Sequence, residues 1–518
     1  MMEDSKLRVI GYCEVSNTEL KALVKEGKSN RLLGMRGEYT IIYTSDVFDT
    51  IITSYVGAMQ YFYYYDGKKF FHASTIIEII SRLRLTWEWD WEALGDLCEL
   101  ENLTENRTLH RCIKKIPPGT ILRYDGELTI HSKRLIDTID NLEVGDPLEA
   151  IETFNNETSY WATNKTYLSL SGGFDSRTIL SSMLKQDIYP TVVTLGEERC
   201  SDIEVSRSIA AYFGLEHITV NLEVDELINS GEHIATITSG SKPACHWHTY
   251  LYPRKAGVPK DKSFFVGTLG EFARSYYFDK GIVGILLDQF GNNAQGQFWK
   301  SKLNRHRTFT NSEMRYLAPM LSEQISDKGI EARAKRNAEL SKGGVLSGGT
   351  RYYLEQRVPN FYANGISMYN DTTRWRSPFH NLEWLKIIWN LPENWKLGSN
   401  WHRLAIKKNC PELLDFPEEK GLLEGKMLGK APPLYWHPIM QRVKYKSYDL
   451  SEEWYKQTKV RDLIMDNYNC IAELCERELV EEVLTDHLRG NKRVRAISLF
   501  LTLVFFKRAL TNAKFNLQ

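Results

Sequence analysis

The stretch YLSLSGGFDSRTIL, residues 167–180, decides the expected fold of this chain. Its apolar start, residues 167–170, predicts a short buried strand, and the residues after the loop predict a helix. Between them, Ser171–Ser176 form a loop whose backbone N–H groups and hydroxyls suit a phosphate at a helix N-terminus. Gly172 and Gly173 would let the backbone approach an anion closely. An ordinary strand-to-helix turn, in which Ser or Asp caps the helix, is the alternative.

Asp175 adds information about the ligand of this loop. A carboxylate beside a phosphate group is repulsive unless a divalent cation lies between them. The loop therefore predicts a metal ion together with a phosphate.

The whole string LSGGFDS resembles the pyrophosphate-binding loop (PP-loop) of ATP pyrophosphatases, in the LSGG-x-DS form of the asparagine synthetase group. It lacks the Lys of a Walker P-loop. The resemblance implies that ATP is cleaved between its α and β phosphates with Mg²⁺ as cofactor. The ATP and pyrophosphate contacts that it implies are Leu170, Ser171, Gly172, Gly173, Asp175, Ser176, Val193, Gly267 and Arg403.

Beyond the loop, the pattern predicts alternating strands and helices. Strands are expected at 191–196 and 217–220, with a helix at 202–213 that ends at Gly214. This βαβαβ order indicates a parallel sheet, which binds ligands at the carboxyl ends of its strands. The letters Ser201-Asp202-x-Glu204 favour a cap for the second helix over a catalytic role.

A second acidic loop follows a buried strand at residues 263–266. In asparagine synthetase relatives this place reads G-x-G-x-D-E, and its first acid joins the loop Asp in holding magnesium. The resemblance assigns that role to Glu271, so the expected metal ligands are Asp175 and Glu271. Thr268 stands where relatives carry Glu, or the Tyr of the β-lactam-forming branch, and Thr is a poor general base at neutral pH.

Later motifs follow the order of the same family. RWRSPFHN, residues 374–381, resembles its R-x-P-F-L-D signature. Arg403 stands in place of K-x-x-L-R, where a cation would face phosphates, although a solvated helix face is the alternative. The resemblance makes Lys420 the catalytic cation that stabilises the charged intermediate, with Lys426 as the alternative. The second Ser-Gly-Gly, residues 347–349, predicts only a loop.

The first 135 residues are strand-rich, with a hairpin signal at 61–72 and a Pro-Pro-Gly turn at 117–119. Most of residues 30–135 resemble the later part of a class II glutamine amidotransferase domain of the Ntn type. The resemblance implies an α+β amidotransferase-like domain over residues 1–136 and a synthetase domain over 147–518. Such glutaminases use a Cys at position two, whereas here Met1 is followed by Met2, and Cys13 is internal. We therefore expect no ammonia production, and a role as scaffold or substrate-binding surface.

Composition limits the remaining possibilities. Among 518 residues, 66 Lys and Arg balance 66 Asp and Glu, so no net charge favours nucleic acid or an anionic membrane. We expect no signal peptide, no membrane span and a cytoplasmic location. The dense cluster Cys245-His246-Trp247-His248 favours packing or substrate contact over zinc, because no second ligand pair matches it.

The expected fold is α/β, with a parallel-sheet PP-loop domain behind the amidotransferase-like one. The expected function is an ATP-dependent ligase that activates a small-molecule or peptide carboxylate as an acyl-adenylate and transfers it to an amine. Lactam closure, lasso-peptide closure and amidation of a sugar acid stay open, and Arg177 after the loop argues against simple asparagine synthesis. The other classes are adenylation of a nucleic-acid base and a non-catalytic partner protein; a partner protein or a homo-oligomer is also possible.

Overall fold

The computed structural model describes residues 5–140, 143–274, 291–342, 345–417 and 449–515. We call residues 5–140 the front part and the remaining described residues the rear part. Within the described residues, no helix is both long enough and apolar enough to cross a membrane. Antiparallel sheets in the front part and a parallel sheet in the rear part confirm the α/β class.

The front part contains two antiparallel sheets. Its strands are β1 Lys6–Cys13, β2 Gly37–Thr44, β3 Asp49–Thr53, β4 Phe62–Tyr65, β5 Phe70–Ala73, β6 Ile113–Lys115, β7 Thr120–Tyr124 and β8 Leu128–Ser132. The larger sheet has the order β1-β2-β3-β7-β8 and the smaller one β5-β4-β6. Helices cover Asn17–Lys25, Ile76–Leu83, Trp91–Leu100 and Ile136–Ile139. The hairpin β4–β5 and the turn before β7 confirm those predictions, and Asp66 stabilises the hairpin by accepting the N–H groups of Lys68 and Lys69.

The rear part is built on one parallel sheet. Its strands are β9 Tyr167–Ser169, β10 Thr191–Leu195, β11 His217–Val220, β12 Ser263–Phe265 and β13 Arg374–Arg376. Their order is β11-β10-β9-β12-β13, and every neighbouring pair is parallel. From β9 the chain first builds the β10–β11 side and then the β12–β13 side. The order therefore reverses between β9 and β12, which is where open parallel sheets bind their ligands.

The helices of the rear part fall into three groups along the chain. The first group covers Pro147–Trp161, Phe174–Leu184, Ser201–Phe213, Val224–Ile237 and His248–Lys255. The second covers Gly291–Arg305, Pro319–Ile325, Asp327–Ser341, Val345–Tyr352, Ala363–Thr372, Leu382–Trp389, Glu393–Lys396 and Asn400–Asn409. The last covers Leu450–Tyr455, Thr458–Asp466, Arg477–Leu488 and Val494–Phe515. Gly214 ends its helix in the left-handed region at φ +64°, as expected.

Residues 345–362 form two consecutive helices of different type. Tyr353–Tyr362 is a π-helix, with the wider i→i+5 spiral. The prediction of a loop at Ser347-Gly348-Gly349 is wrong, because these residues lie in the helix Val345–Tyr352. A Cβ on Gly348 would meet Ser341 O at 2.5 Å, so the glycine permits close helix packing, and packing outweighs its low helix propensity.

Candidate active site

Two loops meet at the point where the strand order reverses. Ser171–Gly173 follow β9 and lead into the helix Phe174–Leu184, while residues 266–270 follow β12. Because β9 and β12 are hydrogen-bonded neighbours, the two loops lie side by side at the carboxyl edge of the sheet. Residues that the sequence places 90 or more positions apart thus share one site.

The PP-loop is tied together by its own polar groups. The N–H of Ser171 donates to Ser176 Oγ at 3.1 Å, and the N–H of Gly173 donates to Ser171 Oγ at 3.2 Å. The N–H of Gly172 donates to Asp202 Oδ1 at 2.8 Å. Three loop N–H groups therefore donate within the protein. The positive end of the helix that begins at Phe174 is the remaining anion-binding feature of the loop.

Asp202 differs from its prediction as a helix cap. The helix Ser201–Phe213 is preceded by Cys200 and has no side-chain cap. Asp202 instead accepts the N–H of Gly172, 30 residues earlier in the chain. The cap prediction was wrong because it weighed only local partners, whereas β10 brings this helix start beside the PP-loop.

Asp175 lies directly against both glycines of the second loop. A Cβ on Gly270 would lie 2.7 Å from Asp175 Cβ and Cγ, and one on Gly267 would lie 3.0 Å from Asp175 Cβ. No side chain fits between them at these distances. The Asp175 carboxylate also forms an ion pair with Arg274, whose Nη2 lies 3.1 Å from Oδ2. Gly267 is thus placed at the site, next to Asp175, while Arg274 was not anticipated from the sequence.

His402 lies against the carboxylate of Asp175. It is completely buried, and its Nε2 lies 3.0 Å from Gly270 O and 3.3 Å from Asp175 Oδ1. Burial, and then the charge of Arg274, lower the pKa of His402 to about 3, so the ring is neutral. Nε2 carries the proton and donates it to Gly270 O. Nδ1 lies 2.9 Å from Thr178 Oγ1, whose hydroxyl also donates to Phe174 O at 2.9 Å. His402 therefore fixes Asp175 against Gly270 without adding charge.

Glu271 is held by two tyrosines. Tyr353 donates its hydroxyl to Oε2 at 3.2 Å, and Tyr362 donates to Oε1 at 3.1 Å. Burial, and then the nearby charge of Asp175, raise the pKa of Glu271 above its usual value. Two carboxylates that destabilise each other's charge, one of them in a dry setting, form an oxygen donor set that a divalent cation would relieve. The residues present therefore fit Mg²⁺.

Two arginines, Arg403 and Arg177, lie next to the PP-loop and the start of its helix. The Arg403 guanidinium lies 4.7 Å from the ring centre of Phe174 at the start of the loop helix, and its Nε donates to Gly398 O. Arg177 is 1% exposed and donates to the carbonyl oxygens of Gly172, Leu413, Phe416 and Pro417. It thereby ties the loop to the segment that leads to position 420. Lys420 and Lys426 lie outside the described residues.

Three other residues singled out in the sequence, Leu170, Val193 and Thr268, lie at or near the carboxyl edge of the sheet. Leu170 and Val193 are buried in the sheet, where the Leu170 N–H donates to Val193 O at 3.0 Å. Nothing about the position of Val193 supports an ATP contact, which stays a prediction. Thr268 lies in the second loop, and its buried hydroxyl makes no hydrogen bond to any residue that the structure describes.

The Cys/His cluster gains a third candidate ligand. Ligand atoms of Glu101, Cys245 and His246 lie within 4.8 Å of one another. Burial, and then the positive charges of Lys242, Arg357 and Arg495, lower the pKa of His246 well below its usual value. A site among cations repels another cation, so packing remains the favoured interpretation of this cluster.

Comparison with protein families agrees with the site. A family model described as asparagine synthase matches residues 164–257, which contain the PP-loop and strands β9, β10 and β11. A search of curated proteins found no match. The family match supports an ATP-dependent, amide-forming ligase of asparagine synthetase type.

Proposed function

We propose that the chain is an ATP-dependent carbon–nitrogen ligase that forms an acyl-adenylate and releases pyrophosphate. The observation that carries this proposal is the placement of Asp175 and Glu271 on neighbouring loops beside the LSGGFDS stretch, at the reversal point of a parallel sheet. A turn that only capped a helix would not need a second acid beside it.

The position of each described residue suggests its role in binding the metal ion or ATP. Asp175 and Glu271 would hold Mg²⁺, which supplies charge neutralisation for the leaving pyrophosphate. The N-terminus of the helix Phe174–Leu184 would bind a phosphate oxygen, with Arg274 and Arg403 close by as cations. A substrate carboxylate attacks the α-phosphorus, pyrophosphate leaves, and an amine then displaces AMP from the acyl carbon. Lys420 keeps its proposed role of stabilising the charged intermediate.

In this proposal the chain does not release the amine from glutamine itself. Cys13 lies inside the chain at the end of β1, and burial raises the pKa of its thiol. An internal thiol with a raised pKa is a poor nucleophile. The amine is therefore ammonia or part of a substrate, and intramolecular lactam or lasso-peptide closure belongs to the same proposal. The position of Arg177 directly after the loop favours a product other than asparagine within this proposal.

ATP–pyrophosphate exchange, measured across a panel of small and peptide carboxylates, tests the proposal. We expect exchange in wild type with one class of carboxylate, and its loss in Asp175→Ala. Asp261→Ala, at an exposed position outside the site, is the matched control and should exchange like wild type. The absence of both ATP binding and exchange with every carboxylate would contradict the proposal and favour a non-catalytic partner protein.

A further inference from the structure

The π-helix Tyr353–Tyr362 reaches the acidic site from one of its faces. Its first and last residues both donate a hydroxyl to the Glu271 carboxylate, one to each oxygen. The two rings lie 5.6 Å apart, centre to centre, at an angle of 64°. Together they orient Glu271 through both of its oxygens.

This convergence depends on the type of helix. Residues nine apart in an α-helix, which turns by about 100° per residue, lie on opposite faces. In the wider spiral of a π-helix, the same separation brings them back to one face. Pro359, inside this segment, has no N–H to donate and disfavours a regular α-helical ladder. The segment must therefore stay π-helical for both tyrosines to reach Glu271.

The other side of the π-helix is held by the front part. Lys115 is 3% exposed, and its Nζ donates to Pro359 O at 2.8 Å and to the Asn360 side chain. Gln60 Nε2 donates to the same Pro359 carbonyl at 3.1 Å, and the Glu105 N–H donates to Gln356 Oε1 at 2.8 Å. Two of these bonds satisfy the backbone carbonyl of Pro359 in the middle of the segment, and the other two hold the side-chain oxygens of Asn360 and Gln356.

Burying an ammonium here is costly. Burial lowers the pKa of Lys115 to about 7, so the charged form is disfavoured where it lies. A methionine or leucine at this position would fill similar space without that cost. The lysine therefore serves its contacts to the π-helix rather than the packing of the front part.

We propose that the front part is a positioning element for the metal site: through Lys115 and Gln60 it holds the π-helix, which places Tyr353 and Tyr362 on Glu271. The inference rests on the proposed function, since it assigns Glu271 to the metal. Tyr353 and Tyr362 are positioning residues in this account, and the front part acts on the site without supplying a nucleophile. In this account the sheets of the front part position the π-helix and do not produce ammonia.

The test measures Mn²⁺ affinity, with and without ATP, by electron paramagnetic resonance, so it needs no substrate. The double variant Tyr353→Phe/Tyr362→Phe keeps both rings, and we expect it to bind Mn²⁺ about tenfold more weakly. Tyr43→Phe, which removes a buried hydroxyl far from the site, is its control and should bind like wild type. Lys115→Met should weaken Mn²⁺ binding several-fold, while its neighbour Lys114→Met should not.

Each outcome has a consequence for the proposal. Weaker binding in both the tyrosine pair and Lys115→Met, with melting temperatures close to wild type, supports it. If Lys115→Met does not fold, Gln60→Leu takes its place, because it removes one of the same bonds at a half-buried position. Wild-type Mn²⁺ affinity in all of these variants would overturn the positioning role and leave the ligase intact. A wild type that binds neither ATP nor Mn²⁺ would overturn both.

Discussion

Gly270→Ala places a single methyl group against the proposed metal ligand. The added Cβ would lie 2.7 Å from Asp175 Cβ and Cγ and 2.9 Å from its Oδ1. Ordinary carbon–carbon contacts begin at about 3.5 Å, so the carboxylate has to move by roughly 0.8 Å. The Asp175 side chain has little room to move away, because Gly267 and His402 also lie in contact with it.

The displacement should affect function more than stability. Overpacking of this kind costs about 1–3 kcal/mol of folding free energy. A misplacement near 1 Å at a reacting centre can cost about 100-fold in rate, so we expect a 10- to 100-fold loss of ATP–pyrophosphate exchange. Mn²⁺ affinity should fall in parallel, because Asp175 and Glu271 would no longer face the same ion.

The matched control is Gly365→Ala, a buried glycine whose added Cβ would meet only Thr249 Cγ2 at 3.9 Å. Both variants should fold, as judged by circular dichroism and thermal melting, and only Gly270→Ala should lose exchange. Wild-type exchange and Mn²⁺ affinity in Gly270→Ala would refute the placement of Asp175 at the centre of the site.

Three further predictions concern residues around the loop. Arg177→Met removes the donor of four carbonyl oxygens, those of Gly172 and Leu413 in buried bonds and those of Phe416 and Pro417 in half-buried ones, and urea unfolding should show a loss of about 3–5 kcal/mol; a change below about 1 kcal/mol would contradict its role as a tie. Asp202→Ala removes the acceptor of the Gly172 N–H and should weaken ATP binding severalfold in calorimetry, whereas Asp202→Asn, which keeps an acceptor, should bind nearly as wild type. For Lys115, the folded pKa is about 7 and the unfolded one near 10.4, so between these values the unfolded chain binds more protons. The free energy of unfolding of wild type should therefore rise with pH across that window, by at most about 5 kcal/mol relative to Lys115→Met, and parallel pH curves for the two proteins would count against the buried ammonium.

The local part of the site could be predicted from the sequence. The phosphate-type loop and the strands β10 and β11 follow from short spacings of apolar residues and glycines, and the parallel order follows from their alternation; the role of Glu271 came from the family resemblance. Such patterns depend on neighbours in the chain, which the sequence displays directly.

The rest depends on contacts between distant residues. Tyr353 and Tyr362 reach Glu271 only because the segment between them is π-helical; Pro359 argues against a regular α-helix there, but it does not specify the wider spiral. His402 stands one residue before the Arg403 motif, but its partners Gly270 and Thr178 are more than 130 positions away. Asp202 was misjudged for the same reason, since its local and distant partners compete and only the fold decides between them.

The central claim is that Asp175 and Glu271 hold one divalent cation next to ATP. Crystals grown with ATP and Mn²⁺, measured for anomalous scattering at the manganese edge, test it most directly. The account predicts a manganese peak bridging the two carboxylates and the nucleotide phosphates, with Tyr353 and Tyr362 still bonded to Glu271. Bound ATP with manganese elsewhere, or with its phosphates away from the Phe174–Leu184 helix, would contradict it.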